Sequence, residues 1–310
     1  MTYLITGGTG FIGAHIMKLL LKNGDRVVAF DIAPDRRLVE QVIGKSWTTR
    51  ATLIAGDIMD LEKITHVCEE NRVGKVIHTA AIVDSENPTL TVRVNCDGTV
   101  NVLEVARRLG LEKVVLTSSI AVFGPPERYP EEYVPNDAPH FPMTMYGASK
   151  SFNETCARFY FTEYGLDVVA IRLPHVYGLG RIRGVGRLVD EELLIKPVAL
   201  GKPGRVPFGN AVHNWLYIED AARVLVMASK AGKTDSRAFT AGGDIRSTAE
   251  VAAYIKSLVP TASITLLPGR LSHPYKFETT PIRDELDYQP MWTIEQALDM
   301  IIHRMQNGQS

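Results

Sequence analysis

The sequence predicts a doubly wound α/β fold on a parallel sheet, with a smaller C-terminal unit interleaved with it. Three observations carry this. Short Val/Ile/Leu runs alternate with longer helical patterns as far as Leu173. The runs are continuously apolar, as in a sheet covered on both faces. The first run meets TGGTGFIG at once, a cluster of glycines at the mouth of a helix.

The elements follow in order. YLIT (3–6) is the first strand. FIGAHIMKLLLKNG places Ile12, Ile16, Leu19 and Leu20 at helical spacing and stops at Gly24. RVVAF (26–30) and ATLIAGD (51–57) are the second and third strands. MDLEKITHVCEENRVG is a helix ending at Gly74, before a fourth strand, KVIHTAA (75–81). A helix from Gly98 to Gly110 precedes a fifth strand, KVVLTSS (113–119). A helix from about Tyr146 to Gly165 precedes the sixth, DVVAIRL (167–173). Beyond it the chain becomes rich in Gly, Pro and Arg. Residues 1–174 are therefore expected to form the main unit, with about 213–232 packing back onto it. Residues 175–212 and 233–310 are expected to form the smaller, substrate-binding unit.

Composition narrows the function. The 310 residues are 45% hydrophobic and 22% charged, with a formal net charge of −1. No overall basic field argues for nucleic acid or an anionic membrane as a partner. Cys68, Cys96 and Cys156 are scattered and have no metal-ligand spacing, so free thiols in a reducing compartment and no metal site are expected. The start, MTYLITGGTGFIG, has no signal-peptide pattern, and no apolar run approaches the roughly 20 residues of a membrane span. A cytoplasmic protein is the expectation.

The glycine loop says more. Gly7 suits a tight turn after a strand, Gly10 a close approach of backbone to a pyrophosphate, and Gly13 the seating of helix on strand. Phe11 and Ile12 lie in the first helical turn, whose exposed N–H groups hold an anion. Asp31 ends the second strand about 20 residues on, where a carboxylate accepts from both ribose hydroxyls of an adenosine. It would repel a 2′-phosphate, so NAD is the expected cofactor, although Arg36 and Arg37 soften that preference. Asp57 and Ile58 end the third strand, where they could hold adenine. Ala80 and Ala81 are small residues at the end of the fourth, where a cofactor passes close. His78 reads as a packed strand histidine. The frame is thus Rossmann-type.

YGASK sets Tyr146 one helical turn before Lys150. An ammonium beside a phenol favours the phenolate, which converts a poor base near neutrality into a usable one. Ser118 and Ser119 are both candidates to donate to a substrate oxygen, and strand alternation points them opposite ways.

These motifs together identify the chain as resembling the extended short-chain dehydrogenase/reductases, the NAD-dependent epimerase/dehydratase group. The resemblance covers nearly the full length. It rests on TGGTGFIG, HTAA, NCDGT (95–99), TSSIAVFG (117–124), YGASK and RLPHVYG (172–178). It implies that Ser119, Tyr146 and Lys150 are catalytic, and that Tyr146 and Lys150 also face the cofactor. It places Asn95 and Pro174 around the cofactor, with Asn95 steadying the active-site loops. It implies a homodimer built on helices at about 98–109 and 147–164, and Phe152, Cys156, Phe159 and Tyr160 make an apolar stripe on the second.

The chain departs from the family in places. SIA (119–121) stands where dehydratases resemble TDE, which argues against water elimination. His175 stands where nucleotide-sugar epimerases usually carry Asn, and His213 near where they carry Arg or Lys. Arg187, with Arg181 and Arg183, could supply charge to a substrate, and Arg283 matches a C-terminal arginine of the family. His175, Arg187, His213 and Arg283, with Ser119, are the candidate substrate residues. The expected activity is NAD-dependent hydride transfer at a secondary alcohol or ketone carbon of a sugar-like substrate, as epimerase or dehydrogenase. The alternatives are a ketoreductase of a non-sugar carbonyl and, in a different class, a non-catalytic dinucleotide-binding regulator.

Overall fold

The computed structural model describes residues 1–83, 87–180, 191–269 and 273–308. In chain order the elements are β1 (Thr2–Thr6), α1 (Phe11–Lys22), β2 (Arg26–Asp31), α2 (Arg36–Ile43), β3 (Ala51–Ala55), α3 (Leu61–Glu70), β4 (Lys75–His78) and α4 (Pro88–Val92). There follow α5 (Gly98–Arg108), β5 (Lys113–Ser119), α6 (Met145–Tyr164), β6 (Val168–Leu173), β7 (His175–Tyr177), α7 (Lys196–Ala199), β8 (Gly204–Val206) and β9 (Val212–Tyr217). The chain continues with α8 (Ile218–Lys230), β10 (Ala238–Thr240), β11 (Asp244–Ser247), α9 (Thr248–Leu258), β12 (Ile264–Leu266), α10 (Thr280–Leu286) and α11 (Ile294–Gln306).

Seven strands form one parallel sheet in the order β10-β6-β5-β4-β1-β2-β3. The order reverses at β1, so the carboxyl ends of β1 and β4 flank a crevice, the place where such sheets bind ligands. The strands bury residues on both faces. Ile5, Ile77, Val115 and Val169 join α1 and α8 in one core, while Leu4, Val76, Val114 and Val168 join α3, α5 and Ala157 and Tyr160 of α6 in the other. The helix α8 packs against α1, where Lys18 Nζ meets Glu219 Oε1 at 2.8 Å. A three-stranded sheet, β11-β9-β7, and the pair β12-β8 lie in the C-terminal part, around a third core with α9 and α11.

The main sheet also takes a strand from beyond residue 233, where the sequence suggested only the smaller unit. The run at Ala238–Thr240 is too short to read as a core strand, yet it pairs in parallel with β6 and buries Phe239. The helix expected from Gly98 is preceded without a break by a wider turn at Arg93–Asp97, which carries Asn95. Burial raises the thiol of Cys68 to a pKa of about 12, an inert small hydrophobe in the core. No helix among the described residues is long and apolar enough to cross a membrane.

Candidate active site

The turn between β1 and α1 is shaped for close approach. Gly7 has φ +63°, and a Cβ there would lie 2.9 Å from the Ala80 nitrogen, so turn and strand end press together. A Cβ on Gly13 would stand 2.3 Å from the Gly7 carbonyl oxygen, which is why the helix can seat on the turn only with glycine there. Gly10 is the N-cap of α1 and brings no capping side chain; a Cβ on it would meet nothing nearer than Gly7 O at 3.2 Å. This cradle, with Phe11 and Ile12 in the first turn of α1, fits a dinucleotide phosphate on geometry alone. Ala80 and Ala81, half-buried, border it from the end of β4.

Asp31 closes β2 with its carboxylate turned back to the loop. Oδ2 accepts from the N–H and hydroxyl of Thr9 at 3.2 and 2.9 Å, and Oδ1 from the Ala33 N–H at 3.3 Å. Asp57 is exposed and accepts from the Met59 N–H at 2.9 Å. Ile58 is buried, with its side chain against Gly98.

Ser119 ends β5, and Tyr146 and Lys150 lie in the first turns of α6. Thr144 caps α6 by accepting from the Gly147 N–H at 3.0 Å. A Cβ on Gly147 would stand 2.1 Å from the Ala121 carbonyl oxygen, so the first turn of α6 abuts the turn that follows Ser119. Ser119 Oγ accepts from the Ala121 N–H at 3.1 Å, which leaves its proton to donate elsewhere. Lys150 is 2% exposed; its Nζ donates to the Thr117 carbonyl at 2.7 Å and lies 5.5 Å from the Tyr146 ring centre. Burial lowers the Lys150 pKa to about 8, against the pull of Cys96 and Glu154.

Ser118 points the other way, to a buried carboxylate. Its Oγ donates to Glu154 Oε1 at 2.5 Å, and Arg172 of β6 pairs with the same carboxylate, Nη2 to Oε2 at 2.7 Å. Arg172 Nη1 continues to the Asn136 carbonyl, and His140 Nε2 sits 3.5 Å from Glu154 Oε2. Glu154 and Arg172 were missed in the sequence. The signals were there: an acid one turn after Lys150 on the same helix, and a lone arginine inside an apolar strand run.

Asn95 holds the loop after β4. Its amide is spent on both backbone groups of Ile82, at 2.8 and 2.9 Å, and on Ser149 Oγ at 3.0 Å. Ser149 in turn donates to the Tyr146 carbonyl at 2.7 Å, so Asn95 ties the loop after β4 to the first turn of α6. His78 is packed, bonded to Thr6 Oγ1 at 2.6 Å and Thr99 Oγ1 at 3.0 Å, and burial and then Lys150 lower its pKa to about 3.

Buried Pro174 joins β6 to β7, and beyond it lies a stack of imidazoles. His175 is 5.1 Å from His213, which is 5.1 Å from His273, and Trp215 sits edge-on to His175 at 4.5 Å. Burial lowers the His213 pKa to about 4, with His273 adding to the shift. The structure thus joins His175 and His213, to which it adds His273. It does not join Arg283, which is exposed on α10 with its Nε on Asp284 at 2.9 Å. That helix runs beside β10, and the arginine projects to solvent. Arg187, Arg181 and Arg183 lie outside the described residues.

The frame has counterparts in known proteins. Residues 3–242 match the model of the NAD dependent epimerase/dehydratase family. The chain belongs to that family. It is 30% identical over 243 residues to UDP-glucose 4-epimerase of Azospirillum brasilense, covering 73% of this chain and 67% of that protein. The NAD complex of UDP-glucose 4-epimerase from Thermus thermophilus superposes with a TM-score of 0.82 at 25% identity, over 99% of both chains. The GalE-like L-threonine dehydrogenase from Cupriavidus necator superposes with a TM-score of 0.88 at 25% identity, over 98% of this chain and 100% of that one. The family member described here is an NAD-dependent enzyme of small-molecule substrates.

Proposed function

We propose that this enzyme moves a hydride and a proton at a secondary carbinol or carbonyl carbon of a sugar-like substrate, using Tyr146 as general base and acid. One observation carries the reading. Lys150 holds an ammonium out of water, one helical turn from a phenol, with a backbone carbonyl as its near partner. A buried lysine without a paired carboxylate costs several kcal/mol of desolvation by general estimates, about what a purely structural role would select against. Beside Tyr146 the cation has a use, since it favours the phenolate.

The turn at Gly7, Gly10 and Gly13 and the Asp31 carboxylate would hold NAD, which when bound would supply hydride acceptor and donor chemistry at the substrate carbon. In oxidation the Tyr146 phenolate takes the proton from the carbinol oxygen; in reduction the phenol gives it back. Ser119 donates a hydrogen bond to that same oxygen, where negative charge develops. Lys150 keeps Tyr146 in its reactive state. The carboxylate of Asp31 accepts from the adenosine ribose hydroxyls.

A second reading is a dehydrogenase or ketoreductase of a non-sugar substrate. The buried imidazoles stacked at His175, His213 and His273 favour it: burial lowers the pKa of His213 and His273, and neutral rings do not offset the charge of a nucleotide diphosphate. We also infer a homodimer in the cytoplasm, supported by Phe152 and Phe159, which are 44% and 51% exposed on α6. Cys156 and Tyr160 of the same stripe turn inward, Tyr160 onto Glu104 at 2.8 Å.

The test is turnover of UDP-glucose and of L-threonine with NAD by wild type and Tyr146→Phe. An epimerase interconverts UDP-glucose and its 4-epimer without net reduced nicotinamide, whereas a dehydrogenase accumulates it. Tyr146→Phe is expected to lose about 100-fold or more in kcat while still binding NAD. Full activity in that variant would remove Tyr146 from the chemistry.

A further inference from the structure

We propose that Thr9 is a positioning residue that sets the preference for NAD over NADP, by locking the Asp31 carboxylate and the start of α2 into one hydrogen-bonded unit. Thr9 stands in the glycine-rich turn and is 2% exposed. Its hydroxyl works in both directions. It donates to Asp31 Oδ2 at 2.9 Å and accepts from the Asp35 N–H at 3.0 Å. Its own N–H adds a second bond to Oδ2 at 3.2 Å. A hydroxyl has one proton and two acceptor sites, so this use is complementary rather than competing.

Two consequences follow for the nucleotide. The first concerns the anion. Both Thr9 donors take the same oxygen, so the carboxylate is fixed in rotation, and the lone pairs that remain can accept from ribose hydroxyls in one orientation. A carboxylate held in that place repels a 2′-phosphate. The second concerns the cations. Asp35 is the N-cap of α2 and accepts from the Arg37 and Leu38 N–H groups at 2.9 and 3.0 Å. By gripping Asp35, Thr9 also fixes where Arg36 and Arg37 begin. Arg36 is drawn along the helix, its Nε on Glu40 Oε1 at 2.8 Å and its guanidinium 5.3 Å from the centre of the Trp47 ring. A loosened α2 start would let these cations approach a 2′-phosphate.

This rests on the reading of Asp31 as the ribose acceptor, and the experiment separates the two. Dissociation constants for NADH and NADPH are measured on the full chain by fluorescence of the bound reduced nicotinamide. The proteins are wild type, Thr9→Val, Thr9→Ser and Asp31→Asn, with Thr9→Ala in place of the valine should that variant unfold. Wild type is expected to bind NADH the more tightly. Thr9→Val keeps the shape and removes the hydroxyl. It is expected to narrow the NADPH-to-NADH ratio about ten-fold, the effect of one hydrogen bond to a charged group. Thr9→Ser is expected to keep the wild-type ratio and Asp31→Asn to narrow it further. A ratio unchanged in Thr9→Val but narrowed in Asp31→Asn overturns the role of Thr9 and leaves Asp31 standing. A ratio unchanged in both overturns both. Equal weakening of the two nucleotides in Thr9→Val, or a serine variant that behaves like the valine one, also overturns it.

Discussion

Ser118 Oγ lies 2.5 Å from Glu154 Oε1 in the buried interior, while its neighbour Ser119 accepts from the Ala121 N–H in the turn that follows β5. Two adjacent hydroxyls thus serve different ends. The first completes the partners of a buried carboxylate. The second accepts a backbone N–H, which leaves its proton to donate.

Separate losses are expected for the two serines. Ser119→Ala should lower kcat about 100-fold, the usual effect of removing one donor to a developing oxyanion. Its folding stability should stay near wild type. Ser118→Ala should instead cost about 2 kcal/mol of stability, the loss of a hydrogen bond to a charged group. Steady-state kinetics and urea unfolding of both variants check the division; equal kinetic losses would refute it.

Glu154 and Arg172 hold opposite charges with side chains 1% and 3% exposed. Removing either partner leaves the other charge buried alone. Glu154→Gln and Arg172→Met should each lose about 3–5 kcal/mol of unfolding free energy. The double variant Glu154→Gln/Arg172→Met should lose clearly less than the sum, because no lone charge is left. A double-mutant cycle by urea denaturation measures the coupling. Additive losses would show that the pair does not act as a unit.

Acid should destabilise the fold from about pH 6.5, where an unfolded histidine takes up its proton. In the folded chain burial lowers the pKa of His15 to about 4, His78 to about 3 and His213 to about 4. Between those limits the unfolded state binds more protons, so stability falls as pH falls. His78→Gln should shrink the stability difference between pH 7 and pH 5 by about 2 kcal/mol, the share of one such group. Unfolding curves at the two pH values decide this. An unchanged difference would mean that His78 protonates in place.

Above about pH 8 stability and turnover should move apart. The buried Lys150 ammonium has a pKa near 8 when folded, below the roughly 10.4 of an exposed lysine. Through that window the unfolded state carries the extra proton, so the contribution of Lys150 to stability rises with pH. The same deprotonation withdraws the cation that supports the Tyr146 phenolate, so kcat falls. Lys150→Met should abolish the rise in stability and most of the turnover. Thermal unfolding and kcat are followed together from pH 7 to pH 10; a parallel course in wild type would refute the assignment.

Much of this molecule is legible one residue after another. The apolar runs at YLIT, RVVAF and KVVLTSS are strands buried along their length except at the terminal Arg26 and Ser119, as a parallel sheet covered on both faces needs. The glycine spacing in TGGTGFIG and the acid at Asp31 are legible because a turn, a helix start and a strand end impose fixed separations. Other features resisted. The three residues at Ala238–Thr240 give no periodicity to count, and their strand exists only because β6 offers an open edge. That the side chain of Ile58 lies against Gly98, far along the chain, is likewise set by the fold.

By itself the sequence determined the order of strands and helices, the phosphate-shaped turn, and the placing of Tyr146 one turn before Lys150. Those are short-range matters of period and spacing. Only the tertiary structure decided which serine meets Glu154, that Asn95 steadies Tyr146 through Ser149, that Arg283 faces water, and that Thr9 joins Asp31 to Asp35. Each of these depends on the register between elements distant in sequence, and side-chain partners are chosen by that register, which local pattern does not encode.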